Sequence, residues 1–147
     1  MSPNRLAAVV VLALTLPGAA GSAPVNEREL VELPPPMRAH MLNNMRDHLI
    51  AIETISRQLA AGDYGAAADT AEAHLGMSSI QAHGGPMMAP YMPEGMRAIG
   101  GAMHHAASRF AVDVRDAEVN DDLGAAFGGL AEVMAQCVAC HAAYRVH

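Results

Sequence analysis

Leu123-Gly-Ala-Ala-Phe127-Gly-Gly-Leu130-Ala-Glu-Val-Met134-Ala-Gln-Cys137-Val-Ala-Cys140-His141-Ala-Ala-Tyr144-Arg145, near the end of the 147-residue chain, decides the fold. Leu123, Phe127, Leu130, Met134, Cys137, His141 and Tyr144 recur in steps of three and four, which predicts one stripe of an amphipathic helix. Cys137 and Cys140 are the chain's two cysteines. With His141 they form Cys-x-x-Cys-His, the pattern of covalent c-type haem attachment. Two thiols supply thioethers to the porphyrin vinyl groups, and an imidazole supplies an iron ligand. Helical spacing puts all three side chains on roughly one face, within reach of one flat cofactor. A thioredoxin-like pair calls for a β-α-β pattern, and none is visible. A zinc half-site calls for two further ligands at matching spacing. The expectation is one covalent haem c, with its ligands continuing the core stripe and the iron facing the interior.

Outward from that helix, the chain repeats the pattern. Asn120 or Asp121 is expected to cap the last helix. A preceding helix from Glu94 carries Met96, Ile99, Met103, Ala106, Phe110 and Val114. A Met-rich loop, His83 to Pro93, separates it from a helix expected over Asp63–Gln81 with a small inner face of Ala67, Ala71, Leu75 and Ser78. Before Gly62 lies a first helix opened by Pro34-Pro35-Pro36. Its apolar stripe is read as Met37, Met41, Met45, Leu49, Ile52, Ile55 and Leu59. Residues 24–33 show little pattern. Four helices with short links predict an all-α, up-down-up-down four-helix bundle over residues 24–147. In that topology the methionine-rich pieces converge on the end that carries Cys137–His141.

Composition narrows the function. The chain is 52% hydrophobic but 3% aromatic, and alanine and methionine favour helix packed on helix. Its formal charge is −6, and every basic residue is Arg. An acidic chain without a basic run is a poor fit to nucleic acid or an anionic membrane surface. A partner docking by charge is expected to be basic. Residues 1–23 read as a secretory signal peptide: Arg5, then an uncharged apolar run from Leu6 to Leu16, then small residues for cleavage after Ala20 or Ala23. That run is too short to span a bilayer, so no stable membrane insertion is expected. Export to the periplasm agrees with the haem motif.

The last element, Cys137-x-x-Cys140-His141-x-x-Tyr144-Arg145, resembles the C-terminal signature of class II c-type cytochromes, the cytochrome c′ and cytochrome c556 group. The likeness is specific in the last helix and covers about residues 37–145 in outline. It implies haem binding by Cys137 and Cys140, His141 as proximal ligand, and Tyr144 and Arg145 near the haem edge. It also implies an early Arg near a propionate, best matched by Arg38, with Arg46 second, and a homodimer formed through the first two helices. The chain departs from the pattern in lacking Trp and in its methionine and histidine density over 74–105.

Met41 or Met45 is a candidate sixth ligand, since a thioether raises the reduction potential. Either is equally read as core filling. Leu42 is the residue that would close an open distal site. His40, His48, His74, His83, His104 and His105, with the nearby methionines, could suit copper. No paired carboxylates or nucleophile–base set is visible, and a non-enzymatic role is expected. The function expected first is periplasmic electron transfer. The alternatives are binding of nitric oxide or another small gas by five-coordinate iron, as the resemblance implies, and copper handling by the Met/His-rich segment.

Overall fold

A computed structural model describes residues 26–147, and the expected signal segment 1–23 lies outside them. The described chain is all-α. Its long helices are α1 (Pro35–Ala60), α2 (Tyr64–His74), α4 (Glu94–Asn120) and α5 (Leu123–Ala143). A one-turn helix, α3 (Gly85–Met88), lies between α2 and α4, with 3-10 turns at Met77–Ser79 and Ala89–Tyr91 on either side.

Local chemistry sets the boundaries. Pro35 and Pro36 occupy the first turn of α1, where a missing N–H costs nothing. Gly62, at φ 75°, takes the left-handed conformation that ends α1. The Asp63 carboxylate then accepts from the Ala66 N–H at 3.1 Å and caps α2. Helix α2 stops at His74, short of the expected Gln81. Side chains there compete for the backbone: Glu72 accepts from the Ser78 N–H, and the Ser79 hydroxyl donates to the Gly76 carbonyl. The cap of α5 is Asp122, whose carboxylate accepts from the Ala125 N–H at 2.9 Å. Asp121, at φ 52°, instead ends α4, so the expected cap at Asn120 or Asp121 is displaced.

Helix α4 packs on both α2 and α5, and α2 packs on α1. One apolar core joins Ile55 and Leu59 of α1 to Ala67, Ala68, Ala71 and Leu75 of α2, Phe110 and Val114 of α4, and Leu130 and Val133 of α5. The small residues of α2 let α1 and α4 approach it closely. A separate cluster, built on Val31, Met41, Met88 and Met96, gathers Met45, Met92, Cys140 and Tyr144 around it.

Two stripes differ from expectation. On α1 the buried line is Met41, Asn44, His48, Ala51, Ile55 and Leu59; Leu49 is 71% exposed. On α5 it is Ala126, Leu130 and Val133, continued by half-buried Cys137 and Cys140, while Leu123, Phe127 and Met134 are exposed. The two thiols thus continue the core line, and His141 sits on the exposed flank beside it. By length and composition α5 could also cross a membrane, but its buried line is engaged with α4.

The lead-in 24–33 has more structure than expected. Glu29–Leu30 (β1) pairs in parallel with Tyr144–Arg145 (β2), and the Val31 N–H donates to the Arg145 carbonyl at 2.8 Å. Val31 is buried. The start of the described chain is thereby strapped to the residues that follow the cysteine motif.

Candidate cofactor site

A cavity of about 610 Å³ opens beside the motif. That volume lies in the range of sites for small molecules and cofactors, roughly 300–1,000 Å³. Its wall takes Met41, Leu42, Asn44, Met45 and His48 from α1. Ile80, His83, Gly85, Met88, Ala89 and Met92 come from the segment between α2 and α4. Met96, Arg97, Gly100, Gly101, Met103 and His104 come from α4, and Cys140, His141, Tyr144 and Arg145 from the chain end. Arg28, in the lead-in, completes it. Helices α1 and α5 face one another across this space.

Part of the wall suits a flat apolar guest that carries carboxylates, as a haem does. Six methionines give the wall a polarisable apolar lining that adapts to an irregular or flat guest. Gly100 and Gly101 leave open space where a Cβ would stand, so α4 offers bare backbone to the cavity. Nε of Arg145 is buried without a hydrogen-bond partner, an unusual and costly state for a guanidinium. A propionate carboxylate would relieve it. Gly95 lets the Tyr144 hydroxyl approach the start of α4: a Cβ built there would stand 2.4 Å from that oxygen.

The motif residues do not all share one position. Cys140 and His141 line the cavity, whereas Cys137, one turn back, packs at the edge of the Ile55–Phe110 core. His141 is exposed at the rim, and Arg28 donates to its carbonyl at 3.4 Å. Burial raises the pKa of both thiols, and for Cys140 the nearness of Cys137 adds to it. Protonated, sheltered thiols are a poor reactive redox pair. Of the other residues singled out, Met41, Met45, Leu42, Tyr144 and Arg145 line the cavity. Arg38 and Arg46 are exposed on α1 and outside the wall. His83 and the methionines at 88 and 92 face the same cavity as the motif, while Met87 is exposed.

Three polar wall residues escape a reading of the sequence: Asn44 is buried, and Arg28 and Arg97 supply cations. His48, one of the histidines considered for copper, is buried beside Asn44. Stepping three, four and three from Met41 reaches Asn44, His48 and Ala51, so the helical period carried the signal for the first two.

No family model, curated protein or solved structure matches the chain.

Proposed function

We propose that the protein is a periplasmic c-type cytochrome of the cytochrome c′ and c556 kind, a four-helix up-down bundle that carries electrons. The observation that carries this reading is Cys-x-x-Cys-His opening, through Cys140 and His141, onto a methionine-walled cavity where Nε of Arg145 is buried without a partner. Haem c bound there supplies one-electron exchange between ferrous and ferric iron. Cys137 and Cys140 anchor the group from α5. His141 offers its imidazole from the rim, and the strap through Arg28 holds the backbone beneath it. Arg145 would hold a propionate, with Arg28 and Arg97 in the same wall. Met41 and Met45, on the α1 side of the wall, would offer a thioether to the iron. Leu42, between them, excludes water. The acidic surface suits a basic redox partner.

Optical spectroscopy of the ferric and ferrous protein, with and without carbon monoxide, tests this. A methionine-bound ferric form shows a weak sulfur-to-iron charge-transfer band, and its ferrous form binds carbon monoxide poorly. Met41→Ala or Met45→Ala removes the band and admits carbon monoxide. Ready binding by the wild type without the band would replace electron transfer with gas binding.

A further inference from the structure

Three imidazoles from three separate stretches meet on the cavity wall. His48 comes from α1, His83 from the turn before α3, and His104 from α4. Their ring centroids stand 4.6, 5.5 and 6.4 Å apart. We propose that His48, His83 and His104 bind one late first-row transition-metal ion, Cu(II) or Zn(II), at a site that uses no residue of the cysteine motif.

The nitrogen geometry leads there. His48 Nε2 and His83 Nδ1 are 3.4 Å apart. Two ligands at 2.0–2.1 Å on a tetrahedral ion stand about 3.3–3.4 Å from one another. His104 Nδ1 lies 2.8 Å from the Leu75 carbonyl oxygen and 3.2 Å from that of Gly76. A carbonyl only accepts, so Nδ1 is the donor and Nε2 is the nitrogen left to meet an ion. A backbone acceptor behind a ring is the outer bond that orients a metal-bound histidine. The Asn44 amide donates to the His83 carbonyl at 2.9 Å and fixes that turn against α1.

Burial, then the neighbouring His83 and His104, hold His48 down to about 4, and burial likewise lowers His83. Both therefore present lone pairs at neutral pH, as metal binding requires. Among the described residues no three such groups already close on one point. Closure needs a small pivot of the His104 ring about its Nδ1 bond to the Leu75 carbonyl, which brings Nε2 toward the other two. Three neutral imidazoles favour Cu(II) over Zn(II) in affinity.

The test uses the mature protein as exported, stripped with EDTA and titrated calorimetrically with Cu(II) and with Zn(II). One equivalent of each ion is expected, copper the tighter, with a rise in melting temperature. His48→Gln, His83→Gln and His104→Gln each weaken binding by at least about tenfold. His74→Gln and His105→Gln, at exposed positions, leave it unchanged. Absence of any saturable equivalent in the wild type overturns the proposal, and so does equal binding by the cluster variants. A changed visible spectrum in ion-free His48→Gln also overturns it, because the imidazole then serves the iron instead. One equivalent bound by protein lacking covalent haem would uphold this site while removing the cytochrome reading.

Discussion

His48 is uncharged where it lies, held down to about 4 from an ordinary 6.5 by burial and by His83 and His104. In the unfolded chain it takes a proton near 6.5. The stability tied to its neutral form is therefore complete above that value and is lost as pH falls toward 4. The full difference corresponds to about 3 kcal/mol. Urea unfolding of EDTA-treated protein should show a decline over that window, and His48→Gln should flatten it. Asp122 makes a second residue-scale case. Asp122→Ala removes the cap of α5 and should cost about 1 kcal/mol. Asn120→Ala, at an exposed side chain bonded only to the Asp116 carbonyl, should stay within about 0.5 kcal/mol.

At the scale of elements, the two long-helix stripes show where the sequence is legible. Helix α4 reads almost directly: of its expected stripe Met96, Met103, Ala106, Phe110 and Val114 are buried and Ile99 is half-buried, and its start at Glu94 is as expected. Its large apolar residues lie on one face, and the buried Ala107, Ala111 and Ala117 widen that face without shifting its phase. Helix α1 misleads because Met37, Met41, Met45 and Leu49 run in steps of four. Each such step turns the helix about 40° past a full circle, so the line walks off the buried face by Leu49. Asn44 and His48 hold the face instead, and an apolar tally passes over them. Helix α5 is apolar nearly all round, so periodicity could not choose between Phe127 with Met134 and Ala126 with Val133. Paired substitutions check the register. Ile55→Ala, at a fully buried site, should cost about 2–5 kcal/mol. Leu49→Ala should cost no more than about 0.5 kcal/mol. Chemical denaturation measures both.

At the scale of the molecule, the apolar core and the cavity divide the fold into two halves. Close-packed Ile55, Phe110 and Val114 fill one, and methionines ring an open space in the other. The gathering of methionines beside Cys140 and His141 agrees with the sequence reading, although the stretch between α2 and α4 that carries several of them is long rather than short. The strap from Glu29 to Arg145 is not legible, because two paired residues per strand carry no periodicity and their partners are remote in sequence. The histidines could be grouped for copper from the sequence, but which three of the six meet is not legible, because His48, His83 and His104 lie far apart in the chain. On this account a guest supplies the missing half of the core. Cys137→Ala, Cys140→Ala double substitution should lower the melting temperature followed by circular dichroism, and unchanged melting would count against it. Covalent haem at the two thiols is what the proposed function stands on. Intact mass of the exported protein, recorded under denaturing conditions from a host that matures c-type cytochromes, measures it. The expected mass is that of the chain cleaved after Ala20 or Ala23 plus one haem, with the added mass surviving acid–acetone extraction. A bare chain with two alkylatable thiols, in a host that loads a control cytochrome, would contradict it.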